Sequence, residues 1–175
     1  MVSQYILHRL GTRFKKKVKG STYEPAIAWG IASLVTADNG HVALLDYDIQ
    51  DFHKVYWDVI GLIKRYKLSD CYVYKTKNGF HAVFYYNVLR WKKLLKIIMR
   101  SKVDWKFKSL ASENRKVVLR FAGKYKINDI SLYKIIPSPY QVSDDEKLFG
   151  DSVKKLRDDL VSSHLEKVLP DEVLK

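Results

Sequence analysis

The stretch HVALLDYDI, residues 41–49, is an apolar run that ends in two aspartates, which is typical of a strand. Before it, AIAWGIASLVT (26–36) is rich in apolar and β-branched residues, and Asp38-Asn39-Gly40 favours a hairpin turn between the two segments. After it, Asp51 is placed to cap a helix. Apolar residues then follow at helical spacing from Phe52 to Tyr66. The stretch therefore predicts a strand hairpin followed by a helix.

The same order of elements recurs downstream. CYVYKT (71–76) and FHAVFYY (80–86) flank the turn Lys77-Asn78-Gly79, and Asn87 is placed to cap a helix that ends at Arg100. A third strand pair is predicted in VVLRFAG (117–123) and ISLYKIIP (130–137), and a helix of mixed charge over 144–170. This order predicts an α+β fold of mostly antiparallel sheets with helices packed on them.

Length and composition exclude several classes of protein. A chain of 175 residues corresponds to one domain, with a basic N-terminal arm or first element over 1–20 and a core over 26–136. The single Cys71 excludes an intrachain disulfide and argues against a zinc site. No secretory signal and no long apolar run stands in the sequence, so we expect an intracellular, cytoplasmic protein with no membrane contact.

The charge balance indicates a polyanionic partner. The 32 Lys and Arg exceed the 19 Asp and Glu by 13, and 23 aromatic residues offer stacking surfaces for bases. Two basic clusters are candidate nucleic-acid contacts: Arg13, Lys15, Lys16 and Lys17 in the arm, and Arg90, Lys93, Lys96 and Arg100 in the second predicted helix. For the arm, a solvated tail is the alternative interpretation.

Asp46 and Asp48 are the first candidate site. Residues i and i+2 of a strand point to the same face, so the two carboxylates project together from an apolar strand. Side by side they repel each other, and a divalent cation would relieve this repulsion. Two Mg²⁺ or Mn²⁺ ions held there would suit phosphoryl transfer. The alternative is that Asp48 and Asp51 cap the helix while Asp46 lies at an exposed strand end.

Two groups of candidate phosphate ligands follow along the chain. His81 begins a strand after the turn at Gly79, and Lys77 lies in that turn. Arg120 interrupts an apolar strand, where a cation needs a carboxylate or phosphate partner. It is followed by Gly123, which allows close backbone approach, and by Lys124. The alternatives are a structural histidine and an arginine in a structural ion pair.

The order of these motifs resembles the catalytic core of the archaeo-eukaryotic primase superfamily, which includes primase small subunits and primase-polymerases. The resemblance covers residues 26–136 and implies an RRM-like core. It also implies that Asp46 and Asp48 form the metal-binding acidic pair, that Asp104 is a third metal-binding acid, and that His81 contacts nucleotide phosphates. Arg120, Gly123 and Lys124 resemble the stretch whose cations hold the triphosphate, although Ala122 replaces the family's proline.

The resemblance therefore implies a DNA primase or polymerase. Such a metal-binding nucleotidyltransferase acts in DNA replication, with nucleoside triphosphates as substrates, single-stranded DNA or RNA as template, two Mg²⁺ or Mn²⁺ ions and no zinc. A further replication subunit is a possible partner. The alternative is a non-catalytic single-stranded nucleic-acid-binding module or a degenerate primase-like subunit. A rolling-circle type nuclease is disfavoured, because its site usually needs paired histidines and His81 has no second histidine near it in the sequence.

Overall fold

The computed structural model describes residues 7–11, 27–34, 40–122 and 130–168. In these ranges the predicted α+β class is confirmed, with two antiparallel sheets and four helices. The strands are β1 (Leu7–Gly11), β2 (Ile27–Ala32), β3 (Gly40–Tyr47), β4 (Cys71–Lys75), β5 (Phe80–Arg90), β6 (Val118–Ala122) and β7 (Ser131–Ile136). The helices are α1 (Phe52–Tyr66), α2 (Trp91–Arg100), α3 (Trp105–Asn114) and α4 (Asp144–Val168). None of them is both long and apolar enough to cross a lipid bilayer.

The larger sheet has the strand order β3-β5-β4-β7, and all of its neighbouring strands are antiparallel. β3 and β4 are therefore parallel, with α1 as their crossover and β5 inserted between them, which is a split β-α-β arrangement. The predicted helix start is confirmed, because the Asp51 side chain accepts a hydrogen bond from His53 N at 3.0 Å. The predicted hairpin of 71–76 and 80–86 is also confirmed.

The smaller sheet has the order β1-β2-β6 and corrects two predicted pairings. β6 pairs with β2 and β7 pairs with β4, so strands 117–123 and 130–137 do not form the predicted pair. β2 and β3 lie in different sheets, joined by a bridge between Leu34 and His41. The observed pairing places Ile31 of β2 opposite Leu119 of β6, and both are buried in the core. Burial of apolar faces, rather than proximity along the chain, therefore decides which strands pair.

The helices correct two further predictions. Asn87 does not cap a helix: it lies inside β5, where its side-chain oxygen accepts a hydrogen bond from Ser69 N at 2.6 Å, and α2 begins only at Trp91. α3 was not predicted. It buries only Phe107 and Ala111, so its apolar periodicity is too weak to indicate a helix.

The two faces of the larger sheet pack against different elements. Neighbouring residues of a strand point to opposite faces. The α1 face consists of Ala43, Leu45, Tyr47, Cys71, Val73, Lys75, Phe80, Ala82 and Phe84, and the Phe52 ring of α1 lies 5.4 Å from the Phe80 ring. The α4 face consists of Leu44, Asp46, Tyr72, Tyr74, His81, Val83 and Tyr85. It packs against α4 and against the smaller sheet, and it carries the candidate site.

Candidate active site

Asp46 and His81 are neighbours on the α4 face. They are register partners on β3 and β5, so their side chains project side by side. His81 Nε2 lies 3.4 Å from Asp46 Oδ1. The Asp46 side chain is 36% exposed, whereas His81 is buried. The pair therefore offers a solvent-accessible carboxylate beside a buried imidazole.

Asp48 and Asp104 form a second close pair beside the first. Asp48 directly follows β3, and Asp104 caps α3 by accepting hydrogen bonds at Oδ1 from Lys106 N and from Phe107 N. The carboxyl of Asp104 lies close enough to that of Asp48 to act on its ionisation. Partial desolvation, followed by the carboxyls of Asp46 and Asp104, raises the pKa of Asp48, whereas His81 opposes this effect. The three predicted acids therefore lie close enough to repel one another.

Gly79 holds these two pairs together. A Cβ atom at Gly79 would collide with Tyr47 O and would lie 2.9 Å from Ile49 N, so only glycine lets the β4–β5 turn approach residues 47–49 this closely. The turn itself is closed by hydrogen bonds from Thr76 N to Gly79 O and from Gly79 N to Thr76 Oγ1, each 3.0 Å. The close approach fixes Asp48 next to the start of β5.

The chemistry of these donors fits a divalent cation. Carboxylate oxygens are the ligands that Mg²⁺ and Mn²⁺ prefer, and mutual repulsion of carboxylates is relieved by a cation between them. Among the described residues, no group of three or more His, Cys, Asp or Glu side chains is already arranged to hold a metal ion. The acids instead form the two close pairs, so metal binding would require their side chains to turn toward a common point.

Arg157 is a candidate site residue that was not predicted from the sequence. This residue of α4 is only 8% exposed and lines a small cavity between the two sheets together with His81. Its guanidinium carbon lies 3.8 Å from the centre of the Tyr74 ring, and its Nη1 lies 2.7 Å from Asp158 Oδ1. Tyr74 is the register partner of His81. The signal available in the sequence was an arginine that falls among the apolar residues of the predicted helix, one residue after Leu156.

Two buried tyrosines complete the cavity lining. The hydroxyls of Tyr74 and Tyr85 lie 2.9 Å apart. Burial raises the pKa of Tyr74 and that of Tyr85, so both stay protonated at neutral pH. They therefore supply no negative charge to Arg157, whose described ion pair is with Asp158 at the surface side of the helix.

The structure does not bring all of the predicted phosphate ligands to this site. Lys77 is exposed in the turn that contains Gly79. Arg120 is exposed on β6, whereas its neighbour Leu119 lines the cavity, so strand alternation directs Arg120 away from it. Lys124, like Gly123, lies outside the described residues.

The predicted nucleic-acid contacts fall into two groups. Arg90 at the end of β5 and Lys93, Lys96 and Arg100 of α2 are all exposed. The arm residues Arg13, Lys15, Lys16 and Lys17 lie outside the described residues.

Comparison of the chain with protein-family models, with curated proteins and with solved structures gives no match.

Proposed function

We propose that the protein is a metal-dependent nucleotidyltransferase of DNA primase or polymerase type, which adds nucleotides from nucleoside triphosphates on a nucleic-acid template. The observation that carries the proposal is the grouping of Asp46, Asp48 and Asp104 with His81. These residues come from the end of β3, the start of β5 and the turn before α3. In a chain with a net charge of +13, binding of a phosphate backbone alone gives no reason for such a group of acids.

The topology supports the same proposal. The split β-α-β arrangement of β3, α1, β4 and β5 is the arrangement expected of an RRM-like core, as in the primase superfamily that the sequence resembles. Asp46 lies on the first strand of this unit and His81 on its central strand, which are the positions that the resemblance implies for the acidic pair and the phosphate-binding histidine.

In the proposed reaction, a 3′ hydroxyl oxygen attacks the α-phosphorus of a nucleoside triphosphate. A new O–P bond forms, the bond from the α-phosphorus to the bridging oxygen breaks, the hydroxyl proton passes to solvent water and pyrophosphate leaves. Mg²⁺ or Mn²⁺ held by Asp46, Asp48 and Asp104 would supply positive charge where the transferred phosphate gains negative charge.

The chain's own cations would hold the phosphates. His81 lies beside Asp46 and would both orient that carboxylate and contact a phosphate oxygen. Arg157 lines the same cavity and would provide a second cation, because a buried guanidinium is a strong phosphate ligand. Lys77 lies on the adjacent turn and is free to reach outward. In this proposal Arg157 takes the place that the resemblance gives to Arg120.

The test is template-dependent incorporation of nucleotides with Mn²⁺ or Mg²⁺ on primed and unprimed single strands. We expect Asp46→Asn/Asp48→Asn to lower incorporation by about 100-fold or more, because the group that stabilises transition-state charge is lost. Incorporation without a primer would specify a primase.

Asp51→Asn is the matched control. Asp51 is an exposed acid close to Asp48 in the sequence, and asparagine also caps helices well, so this variant should retain full activity. Equal loss in Asp51→Asn, or unchanged activity in the double variant, would refute the assignment of the acidic pair.

A second candidate function is non-catalytic binding of single-stranded nucleic acid. It is favoured by the outer helices: α1, α2 and α3 contain nine Lys and Arg but only two Asp and Glu. A wild-type protein that binds single strands tightly and incorporates no nucleotide under any of these conditions would support this function over the enzymatic one.

A further inference from the structure

Two tryptophans lie on helices α1 and α3, and both are largely exposed to solvent. Trp57 on α1 is 64% exposed, and Trp105 at the start of α3 is 72% exposed. Trp91 on α2 differs, because it packs against the core with its ring centre 5.1 Å from that of His41. An exposed indole contributes little to folding, and large exposed apolar side chains that lie together mark binding surfaces.

The two exposed indoles flank one junction near the candidate site. Lys102 N donates a hydrogen bond to Asp58 Oδ2 at 2.8 Å, which fixes α1 against the turn between α2 and α3. Trp57 precedes Asp58 in the chain, and Trp105 lies three residues after Lys102. Asp104, which faces Asp48, directly precedes Trp105. A ligand on Trp105 would therefore lie beside the carboxyl cluster, and Trp57 precedes the residue of α1 that contacts the same turn.

The surroundings of the indoles are basic. The exposed or half-buried lysines on the same elements are Lys54, Lys64, Lys102, Lys106 and Lys108. Helices α1 and α3 and the turn before α3, residues 52–66 and 101–114, together contain six Lys and Arg but three Asp and Glu, one of which is Asp104. These elements therefore have a net positive charge that suits a polyanion.

Gly61 has no side chain that could cover Trp57. It lies in the middle of α1, four residues after Trp57, and a Cβ atom there would meet nothing within 4 Å. Glycine in a helix interior costs about 1 kcal/mol relative to alanine, and no packing contact at this position requires it. Because helical side chains lean toward the N-terminus, a side chain at position 61 would lie toward the indole of Trp57. Its absence keeps the indole accessible.

We propose that Trp57 and Trp105 form a stacking platform for the unpaired bases of a single-stranded nucleic acid, whose phosphates contact the surrounding lysines. Accessible indoles among cations are the combination that single-strand binding requires. An anionic membrane would also attract tryptophan and lysine, and the vesicle measurement below distinguishes it from a single strand. The proposal deepens the proposed function by naming the surface that holds the template. Binding of the strand does not depend on that function; only the claim that the strand leads toward the candidate site rests on it.

The experiment measures the binding of a fluorescently labelled oligo(dT) of about ten nucleotides by anisotropy, in EDTA and without nucleotides. We expect Trp57→Ala and Trp105→Ala each to weaken binding by about tenfold, since stacking contributes about 1–3 kcal/mol per base. Gly61→Leu keeps both indoles but covers the first, and it should also weaken binding. Trp91→Phe is the control and should leave the dissociation constant unchanged. The duplex form of the same oligonucleotide should be insensitive to all four changes.

The outcomes separate this proposal from the proposed function. Loss of incorporation in Asp46→Asn/Asp48→Asn with intact oligo(dT) binding supports the platform independently of catalysis. Unchanged binding in the Trp57→Ala/Trp105→Ala double variant, with an unchanged melting temperature, would overturn the platform even if the enzyme is active. Equal losses for single strand and duplex would overturn stacking. Tighter binding to anionic phospholipid vesicles than to oligo(dT), abolished by the same substitutions, would replace the nucleic acid with a membrane surface.

Discussion

The α1 face and the α4 face belong to the same strands, yet they carry different kinds of side chain. The α1 face is apolar apart from the hydroxyl of Tyr47 and the amine of Lys75, and the Tyr47 hydroxyl donates a hydrogen bond to Asp58 Oδ2 at 2.8 Å. The α4 face carries Asp46 and His81, and Arg157 of α4 covers it. Buried apolar groups stabilise a fold at no electrostatic cost, whereas buried charges need partners. The first face therefore supplies stability, and the second supplies reactive groups on that rigid support.

The largest loss of stability is expected from a substitution in the α1 face. Phe84 is fully buried there, and Phe84→Ala should lower the free energy of unfolding by about 3–5 kcal/mol, because it removes apolar contacts and leaves a cavity. Tyr85→Phe, on the next residue but on the α4 face, removes only the hydroxyl contact with Tyr74 and should cost about 1–2 kcal/mol. Urea denaturation of both variants measures the two values.

Leu110→Ala is the control for this pair. Leu110 is exposed on α3, so its removal should change stability by less than about 0.5 kcal/mol. A loss at Tyr85 equal to the loss at Phe84 would mean that the two faces do not divide stability and chemistry between them.

A second, smaller effect on stability is expected at the β4–β5 turn, which lies against the end of β3. Gly79→Ala would force the β4–β5 turn away from Tyr47 O, and we expect a loss of stability of about 1–3 kcal/mol. Incorporation should fall further than stability alone explains, because Asp48 and His81 would separate. Thermal melting and the incorporation assay on the folded variant measure the two effects.

Gly61→Ala is the matched glycine control. Its Cβ meets open space in a helix, so it should raise stability by about 0.5–1 kcal/mol. If Gly79→Ala behaved like Gly61→Ala, the close approach would not hold the site together.

Much of the α1 face was predictable from the sequence, for a physical reason. The apolar runs in 41–49 and 80–86 and the cap at Asp51 are local signals, and the strands, the hairpin and α1 follow from them. The pairing of β6 with β2 is set by burial between distant segments, and local patterns do not report such contacts. α3 was missed because its packed face is too narrow to give a helical period.

The candidate site shows the same division. Asp46 and His81 could be placed on strands from the apolar runs around them, and the motif order singled out Asp104. Asp48 was predicted on the same strand as Asp46, but β3 ends one residue before it. Arg157 could not be found in this way, because its position under the sheet depends on how α4 docks, and a charged residue in a helix normally indicates a solvated face. The exposure of Arg120 likewise depends on which face of β6 meets the larger sheet.

The smallest effect on stability is expected from Asp48, which lies at the edge of the α4 face beside two other carboxyls. The folded state raises the pKa of Asp48, so its ionised form is less favourable in the folded chain than in the unfolded one. The resulting penalty is absent below the ordinary aspartate pKa of about 4. It grows as the pH rises through the raised pKa and is complete above it. Asp48→Asn removes this penalty and should raise the melting temperature at pH 7 by about 1–3 °C, a small gain because the carboxyl is exposed.

Thermal melting between about pH 4 and pH 8, with and without Mg²⁺ or Mn²⁺, measures this effect. The advantage of Asp48→Asn over the wild type should shrink as the pH falls. It should also shrink when metal is added, because a cation bound by all three carboxyls stabilises the wild type more than the variant, which retains two of them. Asp51→Asn should show neither dependence. A wild-type melting temperature that no concentration of either metal raises would contradict cation binding by the acidic group and would leave the α4 face without the chemistry assigned to it.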